Sequence, residues 1–202
     1  MTDASTSSVQ KRVNWVAPLG ATLLITLFAI GGWQLGHGLY IKAKAQVAQM
    51  LLESAWQESL RTGTPHKAWA WADAWPVASL SVPRLEIYEI VLSNASGEAL
   101  AFGPGHMSAT DLSGNGLNAI AGHRDTHFSF LKKLRPGDAI ILTTMEGKTT
   151  EYSVTGAEIV DTATTRLDPE AGKGLVLVTC YPFDAIAHGP LRYLVFAKQG
   201  IS

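Results

Sequence analysis

Cys180 is the only cysteine in 202 residues, and His106, His123, His127 and His188 lie in the same C-terminal part of the chain. A cysteine acts as a nucleophile through its thiolate, and a nearby histidine is the usual base or ion-pair partner. Arg192 follows Cys180 by 12 residues, in Pro190-Leu191-Arg192-Tyr193. A guanidinium is a suitable donor to the oxyanion that develops during acyl transfer. Cysteine, histidine and arginine together would suit acyl transfer through a thioester. Two other readings stand beside it. Free cysteine is also a common small core residue, and the chain would then be an exported, non-catalytic barrel that binds a peptide or a glycan. Alternatively, His123, Asp125, His127 and Cys180 are zinc-capable ligands of a hydrolase, although no C-x-x-C or H-E-x-x-H pattern is present.

The elements that must present these residues can be read from the apolar pattern. Leu175-Val176-Leu177-Val178 is a short, uninterrupted apolar run with β-branched residues, which predicts a buried strand. Thr179 and Cys180 end it, and Pro182 blocks its continuation. Cys180 therefore sits at a sheet rim. Ala119-Ile120-Ala121 likewise runs out through Gly122 into His123-Arg124-Asp125, so His123 is aimed by a strand end. His106 follows Gly103-Pro104-Gly105 and His188 precedes Gly189-Pro190, which makes both loop residues. His123 is thus the expected partner of Cys180, His188 the alternative, and His127 a supporting or surface residue near the groove. One cysteine permits no internal disulfide, and in an oxidising compartment a lone thiol is a liability unless it is used.

Further strands are expected at 78–82, 87–92, 99–102, 139–144, 149–154, 157–161 and 191–198, with turn chemistry between them, and one or two helical turns at 128–134. About eight short strands with such spacing predict a closed or nearly closed all-β barrel. It should occupy residues 76–202.

The N-terminal part has another texture. No Asp, Glu, Lys or Arg occurs from Val13 to Ile41. Residues 17–35 are the densest apolar run, long enough to cross a hydrocarbon core of ~30 Å. Trp15 and Trp33 flank it, about 27 Å apart along a helix, the spacing of two interfacial aromatic belts. A cleaved signal peptide would have a shorter apolar core and a small-residue cleavage site, so a retained anchor over residues 13–40 is expected, after a tail at 1–12. Lys11 and Arg12 before the span nearly balance Lys42 and Lys44 after it, so charge leaves the orientation open. Residues 41–75 read as a stalk or linker whose helix, over 41–61, stands free or lies on the domain and is ended by Gly63-Thr64-Pro65. Trp69, Trp71 and Trp75 follow that helix, to pack on the domain or touch headgroups. A formal net charge of −1 points to no nucleic-acid partner.

Several stretches taken in order resemble the sortase family of membrane-anchored cysteine transpeptidases. Ser81-Val82-Pro83-Arg84-Leu85 is similar to the family's I-P-x-L pattern, and Phe102-Gly103-Pro104-Gly105-His106 to a G-P-G-H loop. Asn118 to Thr126 is similar to the catalytic-histidine segment, Leu177-Val178-Thr179-Cys180 to the L-x-T-C strand, and Leu191-Arg192 to the arginine strand. Thr179 to Phe183 and Gly189 to Tyr193 look most like the Gram-negative, proteobacterial subgroup, class GN. The resemblance implies an eight-stranded sortase barrel with Cys180 as nucleophile, His123 as proton-transfer partner and Arg192 as oxyanion donor. Thr179 and Arg192 would contact the substrate. It implies protein substrates with an LPXTG-like C-terminal sorting signal, an amine acceptor or water, and no metal or cofactor. It also implies a cytoplasmic tail, one inner-membrane span and a periplasmic enzyme domain. Val176 stands where many members carry threonine.

Overall fold

In the computed structural model, which describes residues 16–107, 112, 116–168, 172–185, 187 and 189–200, eight strands close into a barrel. They are β1 (Pro76–Val82), β2 (Ile87–Leu92), β3 (Gly105–His106), β4 (Leu117–Ala121), β5 (Ala139–Thr144), β6 (Thr149–Asp161), β7 (Gly174–Cys180) and β8 (Leu191–Gln199). Their order around the barrel is β1-β2-β3-β4-β7-β8-β6-β5. The β2–β3 and β4–β7 pairs are parallel, and the other neighbours are antiparallel. Alternating residues such as Leu80, Val91, Ile120, Leu142, Leu177 and Val195 point inward and form the main core.

A helix, α1 (Val16–Thr62), precedes the barrel. Residues up to Ala45 form one unit and residues from Gln46 onward another. In the first unit, the side chains from Thr22 to Ile41 are exposed, and the helix is long and apolar enough to cross a membrane. The expected tail at 1–12, with Lys11 and Arg12, and Trp15 lie outside the described residues. No helix break falls at residues 40 and 41, where anchor was expected to give way to stalk.

In the second unit, residues 46–62 of α1 lie on the barrel. Leu52 and Trp56 pack with Ile90, Leu92, Ala74 and Ala99 in a second apolar cluster. This explains the unbroken Ile90-Val91-Leu92 run. Val91 faces the barrel interior, while Ile90 and Leu92 face the helix, and a strand covered on both sides needs no polar alternation. Trp69 meets Phe102 edge-on with ring centroids 4.9 Å apart, Trp75 is half-buried, and Trp71 is 82% exposed.

Three expectations are corrected. The strand expected at 99–102 is replaced by a short helix, α2 (Gly97–Leu100). Ser96 caps it, its hydroxyl accepting from the Ala99 amide at 3.2 Å, so a turn signal was a helix start. The strands expected at 149–154 and 157–161 are one, β6, with a register shift between Val154 and Gly156. That irregularity lets one long strand serve β5 with its first half and β8 along most of its length. His106, expected in a loop, lies in β3 opposite Ile120.

After the histidine loop, a 3-10 helix (Ser129–Lys133) leads to β5, within the 128–134 turn that the sequence predicts. It is tied to the end of β1. Arg84 Nη2 donates to Asp138 Oδ2 at 2.6 Å and to the Lys133 carbonyl at 2.7 Å. The Arg135 amide donates to Asp138 Oδ2 at 2.7 Å. The Arg84 guanidinium, helped by the Arg135 amide, holds the Asp138 carboxyl below its ordinary value of 3.8, and burial opposes the shift only in part. A depressed carboxylate stabilises the fold above its unfolded value and loses that contribution as pH falls through the folded one. Asp138→Asn should therefore lower the urea midpoint at neutral pH, and the gap to the parent should close in acid, below about pH 4. A gap that is independent of pH would show that the charge contributes nothing.

Candidate active site

The parallel pairing of β4 with β7 sets the site. Ala121 lies opposite Val178 at the last step of the ladder. The pairing continues past it: the Gly122 amide donates to the Val178 carbonyl at 3.0 Å. The Thr179 hydroxyl donates to the Gly122 carbonyl at 2.7 Å. One residue further, His123 and Cys180 leave neighbouring strands in step. On the other side of β7, Cys180 lies directly opposite Arg192 of β8. Adjacent strands are ~4.8 Å apart, so the backbones of all three residues meet at one rim, with Cys180 on the middle strand.

The side chains follow the pleat. Thr179 is only 2% exposed, so Cys180, the next residue, turns to the opposite face. It is half-buried and forms no disulfide. Arg192 shares its face and is also half-buried; its Nη1 donates to the carbonyls of Gly189 at 2.8 Å and Leu191 at 2.9 Å. The Thr179 hydroxyl, bound to the Gly122 carbonyl, couples the cysteine strand to the histidine strand.

Gly122 is required by space. A Cβ there would lie 2.6 Å from the Phe128 ring, and Phe128 is fully buried. The Phe128 amide also donates to the His123 carbonyl at 2.9 Å, which closes the loop behind the histidine. Arg124 is 9% exposed. Its Nη2 donates to the carbonyls of Ala185 and, at 3.1 Å, Ala187. Beyond Cys180, the ladder runs one step further, from the Tyr181 amide to the Leu191 carbonyl at 3.0 Å. Tyr181 stacks on Tyr193 with centroids 6.2 Å apart, and Phe183 meets Tyr193 edge-on at 5.2 Å. Lys132 Nζ lies 5.8 Å from the Phe183 ring centre.

The other histidines separate. His127 Nδ1 lies 2.8 Å from Glu89 Oε2 of β2, and both side chains are largely enclosed. His127 is thus a supporting residue of the histidine loop. His106 sits on β3. His188 lies outside the described residues. Among the described residues, no group of three or more histidine, cysteine, aspartate or glutamate side chains is placed to hold a metal ion.

Sequence reasoning passed over Arg124, Glu89 and the steric demand at Gly122. The signal for Gly122 was available in the Gly-His sequence at a strand exit. Arg124 gave none, because its partners are backbone carbonyls 61 and 63 residues away.

A family model described as a sortase domain matches residues 80–200. Sortase D of Bacillus subtilis (strain 168) is 31% identical over 124 residues, which cover 59% of this chain and 62% of that protein. The chain therefore spans less than two thirds of that relative's length. Among solved structures, sortase A from Corynebacterium diphtheriae aligns with a TM-score of 0.56 and 26% identity, over 65% of this chain and 64% of that one. The catalytic domain of B. anthracis SrtD aligns with a TM-score of 0.53 and 33% identity, over 62% of this chain and 87% of that one.

The coupling at Thr179 and Gly122 can be measured. Thr179→Val keeps the shape but leaves the buried Gly122 carbonyl without its donor, and should cost about 1–3 kcal/mol. Gly122→Ala should cost about 1–3 kcal/mol through overpacking, and much less once Phe128 is shortened to leucine. Urea titrations of the parent, the three single variants and the Gly122→Ala/Phe128→Leu double variant test this. An alanine at 122 that costs the same in both backgrounds would mean that the Phe128 ring is not what excludes it.

Proposed function

The chain belongs to the sortase family, and from that premise we propose that it is a membrane-anchored cysteine transpeptidase acting on proteins with an LPXTG-like C-terminal sorting signal. What supports this is one observation: the strand order β4-β7-β8 carries the Cys180 backbone between those of His123 and Arg192. In this reading, the Cys180 thiolate attacks the Thr–Gly carbonyl of the sorting signal. Arg192 donates to the oxyanion and grips the substrate backbone. The C–N bond breaks as His123 gives its proton to the leaving amine. An acceptor amine then attacks the thioester, its proton passes to His123, and the thiolate leaves; water in place of the amine gives hydrolysis. Placement in the Gram-negative subgroup is part of the proposal and is supported by the Thr179–Phe183 and Gly189–Tyr193 stretches. So are the anchor at 13–40, the cytoplasmic tail at 1–12, the single inner-membrane span and the periplasmic barrel, which draw support from the apolar helix. The reading requires no metal or cofactor.

The full chain in detergent, with an LPXTG-type peptide and an amine acceptor, tests the reaction. Cys180→Ala should abolish cleavage and thioester trapping. His123→Ala should lose at least ~10²-fold in rate, with much smaller losses for His127→Ala and His188→Ala. Arg192→Lys should be severely impaired, because an ammonium cannot reproduce the planar fork. Cleavage by Cys180→Ala would end the transpeptidase reading. A dead His188→Ala beside an active His123→Ala would reassign the proton-transfer partner.

Protease added to spheroplasts should degrade the barrel and leave the N-terminal tail. A protected barrel with a lost tail would reverse the orientation.

A further inference from the structure

Arg124 is the residue after His123, yet its guanidinium points into the protein and is 9% exposed. Among the described residues it has no carboxylate partner and its Nη1 no hydrogen-bond partner. A buried guanidinium needs its donors satisfied, and the hydrogen bonds it makes fix where those partners lie. What this one does is reach across to the connection between Cys180 and Arg192 and donate to the carbonyls of Ala185 and Ala187.

That connection also seats Arg192. Arg192 Nη1 donates to the carbonyl of Gly189, two residues beyond Ala187. Strand pairing fixes the backbones of Cys180 and Arg192, and Arg192 Nη1 is shared between the Leu191 carbonyl, which β8 holds, and the Gly189 carbonyl, which lies in the loop. We infer that Arg124 is a positioning residue: it clamps Ala185 and Ala187 to the histidine loop, and through Gly189 it holds the guanidinium of Arg192 in place for the reaction. The inference rests on the transpeptidase reading for its consequence in catalysis, while the clamp itself does not.

The clamp has a specific signature. Removing it should loosen the Gly189 seat of the Arg192 fork and leave the strand-held thiol alone. In the full chain, Arg124→Met and Arg124→Gln should speed amide exchange in a peptide covering residues 181–191 by at least ~10-fold, with exchange in β1 and β5 unchanged. Alkylation of Cys180 by a small neutral reagent should stay within about two-fold, since its strand setting is intact. With the LPXTG-type peptide, kcat should fall ~10- to 100-fold, the scale expected when a reacting group is displaced by about 1 Å. Arg124→Lys, which keeps a cationic donor, should recover part of the loss. The deciding measurement is the double variant. In an Arg192→Lys background, Arg124→Met should cost little more, because residues acting through one another are not additive. Unchanged exchange at 181–191 in both variants would overturn the clamp, whatever the kinetics. Fast exchange with unchanged kcat, or with fully additive losses, would overturn its action through Arg192. A parent protein that turns over no peptide would instead count against the transpeptidase reading, and exchange would still decide the clamp.

Discussion

The structure depends on one parallel pairing, β4 against β7. Parallel neighbours cannot be joined by a tight turn and need a long connection between them, here running from the end of β4 through the 3-10 helix, β5 and β6. The register between them is thus set at long range, by side chains rather than by a hairpin. Two kinds of contact fix it. Ile120 and Leu177, opposite each other, enter the core together, so a slip of either strand by one residue would turn its member of the pair outward. The Thr179 hydroxyl then locks the step after the ladder ends. A slip here would not merely weaken the barrel. It would carry the cysteine past the histidine by ~3.3 Å.

Polar groups around this pairing are used sparingly and each spans two elements. Thr179 links β7 to the exit of β4, Arg124 links that exit to the chain beyond β7, and Arg84 links the end of β1 to the start of β5. Each buried donor or acceptor is costly if left alone. Such bonds add modestly to stability but exclude other arrangements of the same apolar surfaces, and a rim that must hold three side chains in one geometry needs that exclusion.

Much of the barrel was legible in sequence because its signals are local. Leu175 to Val178 reads as a buried strand, Cys180 stands out by being alone, and the Ala119–Ala121 run exits through a glycine. The failures have physical causes. Ser96 both starts a turn and caps a helix, and four residues of Gly-Glu-Ala-Leu carry too little periodicity to tell these apart. β6 was divided because Gly156 reads as a break, whereas it lies beside a bulge inside one strand. β3 is two residues long, shorter than any pattern. The site was legible to the level of strand ends. The resemblance to a family supplied the roles of its residues, and the side chains that hold them act through backbone atoms distant in sequence.

The helix over residues 46–62 was expected as a stalk or as a helix lying on the domain, and a true stalk can change length freely. This one carries Leu52 and Trp56 against β2, with the buried Ala48 and Ala55 on the same face of the helix. Each residue inserted or removed within it would swing that face by about 100°, since a helix has ~3.6 residues per turn. The number of residues in this segment is therefore not a free parameter in evolution or in engineering. A fragment cut at Pro76 would also bare the outer faces of Ile90 and Leu92 to water, so a faithful soluble version of the barrel begins about thirty residues earlier, at Gln46.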